Sequence, residues 1–510
     1  MKKYVFLCTA FLGVALVTFT GCEKFLDRKP LTAILDDYAQ GGLDAQSLGL
    51  YGALRNSAGE PYIGDGFQSI PWIGINGFRS DDQEIISDPG AAQWHATYDN
   101  FQYTKDDWAS GVYWDKHYLL IGNCNVILQT ADSLGLNEDV NTKVNIAEAK
   151  WFRALSFWDL VRNYGEIPKI DFRIYKPTDA NIPKSPEAEI LDLIESDLLY
   201  AVGNLPPTWP DKYAGRLTNY TAKALLAKVY AWRQKWGPAL ALCEDIINSG
   251  QYDLIKPYWE IWKTKNEVGN PQATGTESLF EIQAAYAPGD GGQLWSWFGT
   301  AQGVRGNGAD GWNLGWGWNT PTQQLVDAYE PGDPRKAATI LFSGQSDDPA
   351  NGGYGKTMPA YTNALYWNKK AYTSDQERSA SGDLNGSYFY NCRLLRFADV
   401  VLLAAECANE TGDGQKAEDY LEMIRDRARN GAAVLPKVEF ANQAQMRTAI
   451  KHERRVEFGC EFERFWDLVR WGDAQSVLGS LGYQPRNHWY PLPSAAIASN
   501  PNLVQNPDYP

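Results

Sequence analysis

The chain has 510 residues, with 62 Asp+Glu against 47 Lys+Arg and a formal charge of −15. That balance excludes a nucleic-acid partner, whose affinity comes largely from Lys and Arg neutralising phosphates, and the one basic cluster, Arg425, Arg427 and Arg429, is interleaved with acids. An apolar fraction of 44% with 13% aromatics is enough for large cores and excludes a mostly disordered chain.

At the N-terminus, Lys2 and Lys3 precede an uncharged apolar run from Tyr4 to Phe19 that ends in Thr20-Gly21-Cys22. The run falls short of the ~20 residues of a comfortable transmembrane helix and has the order of a signal peptide. Cys22, directly after two small residues, is expected to be lipidated and to become the first residue once 1–21 is removed. No later segment is apolar for long enough to span a bilayer, so the sequence predicts contact with a membrane through a lipid anchor only. The mature chain, 22–510, reads as one domain. A helical scaffold is expected over about 22–59, 109–251 and 393–472, with loop-rich excursions over 60–108 and 252–392 and an extended segment over 473–510.

The first excursion gathers Asn76, Arg79, Asp81, Trp94, Tyr98 and Asn100 among Gly and Pro. Helical spacing then places Trp151, Ala154, Leu155, Trp158 and Val161 on one face of a helix over 146–162. Ala222, Leu225, Leu226, Val229 and Tyr230 form a second stripe; after Trp236-Gly237-Pro238 a third runs through Ala239, Leu242, Cys243, Ile246 and Ile247. Two helices joined by so short a turn make an antiparallel hairpin, and the order of small and aromatic residues fits a tetratricopeptide unit. A similar hairpin is expected from Val400 to Ala408 and from Ala417 to Ala428, around Thr411-Gly412-Asp413-Gly414.

The hexapeptide Phe-Trp-Asp-Leu-Val-Arg occurs at 157–162 and again at 465–470, each just before a Gly. The expectation is two helix ends solving one packing problem, with Trp and Leu as core anchors and Asp and Arg paired on the surface. Cys124, Cys243, Cys392, Cys407 and Cys460 are odd in number and form no CxxC, which favours small buried hydrophobes over a disulfide framework.

Catalytic signatures are scarce. There are four His with no HExxH, and there is no GxSxG. Gly306–Gly311 matches GxGxxG literally, but the Trp- and Gly-rich residues after it do not open a helix, so it reads as a loop. No metal and no cofactor are indicated. What stands out is Trp295, Trp297, Trp312, Trp316 and Trp318 among Gly, Asn, Asp and Gln. A Trp face in such a loop is an apolar platform with polar edges nearby, suited to the C–H face of a sugar ring. The expected ligand-binding residues are Trp94, Trp312, Trp316 and Trp318 as platforms, with Arg79, Asp81 and Asn319 as rim partners.

Seven motifs stand in order along the chain: Cys22 to Asp27; Ala147 to Leu155 with Asp159 to Pro168; Arg396 to Val400 with Ala405-Glu406; Glu453 to Phe458; Asp467 to Gly472; Tyr490 to Pro493; and Asn500 to Tyr509. Together they resemble the RagB/SusD family of nutrient-binding outer-membrane lipoproteins over nearly the whole length. Glu461-Phe462-Glu463-Arg464 departs from the family's usual Glu-Gly-x-Arg. The resemblance implies an all-α, tetratricopeptide-like scaffold on the outer surface of the outer membrane. It also implies a SusC-like TonB-dependent transporter as partner, and non-catalytic capture of an oligosaccharide or polysaccharide, or in some branches of peptides. A surface glycoside hydrolase is a further alternative.

Overall fold

Several helix boundaries fall where the sequence supplies capping groups. In the computed structural model, which describes residues 42–55, 70–85, 94–263, 277–285, 294–306, 310–362, 364–381 and 387–509, the Asp139 carboxylate accepts from Thr142 N to start one helix, and Gly165 ends it at φ 73°. Thr218 caps a second, while Asp413 and the left-handed Asn430 bracket a third. The signal run and Cys22 lie outside the described residues. The chain divides into two compact units, 1–46 and 47–510. Of the first only 42–46 are described, as the opening turns of a helix; the architecture is that of the second.

Among the described residues the α-helices, in chain order, are α1 (Gly42–Arg55), α2 (Ile70–Gly77), α3 (Trp94–Asp99), α4 (Trp108–Ser133), α5 (Val140–Tyr164), α6 (Glu187–Asn204), α7 (Asn219–Trp232), α8 (Trp236–Asn248), α9 (Phe298–Gln302), α10 (Gln323–Ala328), α11 (Pro334–Thr339), α12 (Asp375–Ser381), α13 (Phe397–Glu410), α14 (Gly414–Arg429), α15 (Gln443–Glu457), α16 (Arg464–Arg470), α17 (Ala474–Leu478) and α18 (Ser494–Ser499). Neighbours pack in succession, α4 on α5, α5 on α6, α6 on α7, α7 on α8, α8 on α13 and α13 on α14. The result is an all-α stack of tetratricopeptide-like hairpins. Leu225, Leu226 and Val229 of α7 and Ala239, Cys243 and Ile246 of α8 are buried, as one apolar stripe per helix requires. All five described cysteines are buried free thiols. Among the described residues no helix is long and apolar enough to cross a membrane.

The repeated hexapeptide does solve one packing problem twice. Trp158 and Trp466 flank Trp232 at ring distances of 5.4 and 6.3 Å, and the Arg162 guanidinium lies 4.6 Å from one ring and 4.8 Å from the other. The Asp–Arg pairs are not on the surface, however. Asp159–Arg162 is withdrawn to the junction of Trp158 and Trp466, where Arg162 serves as both ion partner and ring neighbour, and Asp467–Arg470 turns inward to Arg454 and Glu406.

Between α8 and α13 the chain forms the excursion, held by antiparallel two-stranded ladders: β1 (Gln83–Glu84) with β3 (Thr320–Pro321), β2 (Ser278–Ile282) with β6 (Cys392–Arg396), and β4 (Ile340–Phe342) with β5 (Tyr366–Asn368). A buried ionic network ties this layer to the scaffold. The Glu457 carboxylate meets Arg427 at 2.5 Å and Arg335 and Arg396 at 3.2 Å. Glu277 pairs with Arg427 at 2.9 Å and also with Arg396, Glu453 joins Arg335 (2.6 Å) to Arg425 (2.8 Å), and Glu461 joins Arg396 (2.7 Å) to Lys370 (2.6 Å). A second cluster runs from Lys228 through Asp399, Arg454, Asp467 and Arg470 to Glu406.

Candidate functional site

Glycine spacing shapes the Trp-rich loop. A Cβ on Gly303 would lie 2.3 Å from Leu314 O, and one on Gly315 would lie 2.2 Å from Thr300 O, so only glycine lets the two backbones meet. They are then joined by Leu314 N to Val304 O (2.8 Å), Trp316 N to Thr300 O (3.0 Å), Gly317 N to Gly303 O (2.9 Å) and Trp318 N to Ala301 O (3.0 Å), with Arg305 bridged to Asn313. The GxGxxG match is thus part of a hairpin; its residues 307–309 lie outside the described set.

Alternation along this hairpin sorts the rings. Trp312 and Leu314 point inward and Asn313 outward, while the positive φ of Gly317 re-aims the chain so that Trp316 is left half-exposed. Trp297 stacks on Trp316 at 5.1 Å and 25°, and Trp295 stacks on Tyr388 at 5.0 Å and 7°. The two stacks meet where Trp297 stands edge-on to Tyr388 at 4.8 Å and 80°. Trp295, Trp297, Trp316 and Tyr388 are all half-buried. They form an aromatic corner with two ring faces set nearly at right angles. Behind it Trp318 touches Trp316 at 5.1 Å and His95 of α3 at 4.3 Å. Burial, followed by the charge of Arg305, lowers the His95 pKa to about 4, so this wall is neutral at physiological pH. Exposed Arg305 and Asn313 supply polar groups on the same hairpin.

Most of the residues expected as ligand contacts are structural. Trp312 is only 2% exposed. It stacks on Tyr372 at 5.7 Å, donates from Nε1 to Thr357 O at 3.1 Å, and belongs to a core with Val304, Leu341, Met358 and Trp367. Trp318, 7% exposed, is the back wall rather than a face. Asn319 is buried in the left-handed region at φ 55°, donating to Gln302 Oε1 (2.5 Å) and Cys460 O (3.1 Å); it turns the chain into β3. Arg79 is fully buried, 3.9 Å from the Phe465 ring and 4.1 Å from that of Tyr490, and donates to Asn163 Oδ1 at 2.8 Å. Asp81 is buried against Arg464 (2.8 Å) and Arg455 (2.9 Å), and Arg455 also holds Asp82 at 2.6 Å. Burial and the Asp81 charge raise the Asp82 pKa, while for Asp81 the two arginines outweigh the cost of burial. A short acidic-basic stretch spends its charges on fixing β1 to α15 and α16, which places the Trp hairpin through the β1–β3 ladder. Trp94 opens α3, beside His95, but its side chain lies outside the described residues. Among the expected platforms, only Trp316 has a described ring with substantial exposure.

Trp295 and Trp297 belong to the aromatic run visible in sequence, and 2.9 Å from Ser296 N to Tyr388 O shows how Tyr388 reaches them. Nothing local could have nominated Tyr388, which is distant in sequence. Trp312→Ala should lower stability by about 3–5 kcal/mol in a denaturant titration, as large-to-small changes at buried aromatics do; full stability with lost binding would return Trp312 to the site. Among the described residues no group of three or more His, Cys, Asp or Glu could hold a metal.

A family model described as the SusD family matches residues 261–488, and a second, described as starch-binding associating with outer membrane, matches 78–231. A SusD-like protein of Formosa agariphila is 27% identical over the full length of both chains. One of Bacteroides ovatus is 26% identical over 73% of this chain and 67% of its own. Among solved structures, a laminarin-binding SusD-like protein superimposes with a TM-score of 0.74 at 27% identity, covering 92% of this chain and 99% of that one. Surface glycan-binding protein A of Bacteroides fluxus gives a TM-score of 0.72 at 23% identity over 92% and 99%, a likeness of fold.

Proposed function

Because the chain belongs to the SusD family, we propose that it is an outer-membrane surface lipoprotein that captures an oligosaccharide on the Trp297–Trp316 corner, without cleaving it, and delivers it to a SusC-like TonB-dependent transporter. The observation that carries the reading is the group of four half-exposed rings that Trp295, Trp297 and Trp316 form with Tyr388. Sugar rings stack their C–H faces on such rings, while Arg305 and Asn313 offer hydrogen bonds to the hydroxyl rim. Trp94, at the start of the neighbouring α3, is a further candidate platform. The adjacent carboxylates Asp81 and Asp82 are both held by arginines, which favours capture over hydrolysis. The membrane-associated family model and the Thr20-Gly21-Cys22 end of the signal run support the anchor.

Calorimetric titration against a glycan panel, run beside a product assay on the same samples, tests the central claim. Binding without product is expected. Product release would support a hydrolase, and binding of peptides but no glycans would support the peptide-capturing branch. For the anchor, a palmitate analogue should label wild type and leave Cys22→Ala unlabelled, and equal labelling would overturn it. Mild detergent extraction should recover the chain with a large outer-membrane barrel protein; recovery alone, under conditions that preserve other such complexes, would count against delivery to a transporter.

A further inference from the structure

We propose that the glycan site continues past Trp295 into a second cavity whose basic rim binds a carboxylate-bearing sugar, a uronic acid residue of the same chain. The proposal rests on the platform reading above. The cavity, about 210 Å³, lies between the end of α1, residues 212–216 and β2. A void needs only about 10–15 Å³ to hold one water, so this one takes a ring-sized group. Tyr51 and Phe280 give it an aromatic floor, and Arg55, Lys212 and Arg216 line it with positive charge.

Partners sort these charges. Arg216 is neutralised by Glu148, with both contacts at 2.8 Å, and the lining carboxylate Glu281 is turned to Arg393 at 3.4 Å and Asn391 at 2.9 Å. Arg55 and Lys212 bring two further positive charges to the lining, in a chain whose formal charge is −15. Arg55 Nη1 donates to Gln283 O at 3.1 Å, which holds the guanidinium at the cavity edge. Gly215 sits in the left-handed region at φ 91°, which favours glycine where residues 212–216 pass the end of β2.

Backbone continuity joins the cavity to the rings. Gln283 lines the cavity; two residues later Ala285 N donates to Leu294 O at 2.7 Å, and the next residue is Trp295, stacked on Tyr388. Two residues of extended chain, one strand crossing and one further residue together span at most roughly 16 Å, a length that a few sugar units cover. A ring-sized space with an aromatic floor and two cations at its edge suits a pyranose carrying a carboxylate, through charge-assisted hydrogen bonds.

The test uses glucose hexamers of β-1,3, β-1,4 and α-1,4 linkage, each in neutral form and with C6 oxidised to the uronate. For the linkage that binds, the oxidised form should bind about tenfold more tightly at low salt, an advantage that fades at high salt. Arg55→Gln with Lys212→Gln should bring the oxidised form to the affinity of the neutral one and leave the neutral form unchanged, whereas Trp297→Ala should weaken both. Equal affinity of wild type for the two forms, with binding still lost in Trp297→Ala, overturns the second cavity alone. An oxidised-form advantage that survives the double substitution also overturns it. Failure of every hexamer to bind, or indifference of both forms to Trp297→Ala, overturns the platform and the cavity together.

Discussion

Glu457→Gln should lower stability by about 3–5 kcal/mol. Three guanidinium groups, of Arg335, Arg396 and Arg427, converge on this carboxylate, and all four side chains are buried. Taking the charge away leaves the arginines facing each other with too few anions, and removing one partner of a buried set costs far more than an exposed pair ever contributes. Burial opposes the ionised Glu457, but Arg427, Arg396, Arg335 and Lys370 together hold its carboxyl far below the usual range. A depressed folded pKa stabilises above the unfolded carboxyl value and is lost as pH falls below it, so acid destabilisation attributable to Glu457 should begin under about pH 4.3. Urea titrations of wild type and Glu457→Gln across pH 3 to 7 check both claims. Matching midpoints at neutral pH would show that the network does not hold the excursion to the scaffold.

Trp297→Ala and Trp316→Ala should each weaken glycan binding about 10- to 100-fold, as expected when an aromatic face worth about 1.5–3 kcal/mol is removed from a stacked sugar ring. The two rings stack on each other, so the double variant should fall short of the sum of the singles, a coupling that distant sites would not show. Neither ring belongs to a scaffold helix, and helical circular dichroism should be unchanged. Titration of the three variants against one bound glycan decides the matter: affinities equal to wild type would dismiss the corner as a binding surface. A longer glycan should also bind more tightly than its disaccharide, since the corner has more than one face to cover.

The basic cluster near residue 427 illustrates what kind of information the motifs carried. In sequence Arg425, Arg427 and Arg429 form a basic cluster with Asp426 among them; in the fold Arg425 and Arg427 are buried ion partners of Glu453, Glu277 and Glu457. Arg396, Asp399, Glu453, Arg454, Glu457, Asp467 and Arg470, which carried the family resemblance, all belong to the two buried clusters. They mark the fold because each is spent on a buried ion partner, whose loss alone would leave an uncompensated charge, and a side chain so spent says nothing of the ligand.

By itself the sequence determined the hairpin scaffold, because helical periodicity and capping act within a few residues of each other and leave a local trace. It also determined the family and the aromatic loop. Tertiary structure alone decided which rings of that loop face outward, since Gly303, Gly315 and Gly317 set the crossing and twist of a hairpin whose two arms alternate between core and surface. It alone brought in Tyr388 and consigned Arg79, Asp81 and Asn319 to the frame. A polar side chain beside a Trp reads the same whether it waits for a sugar or pairs with an arginine hundreds of residues away, and only the fold supplies that partner.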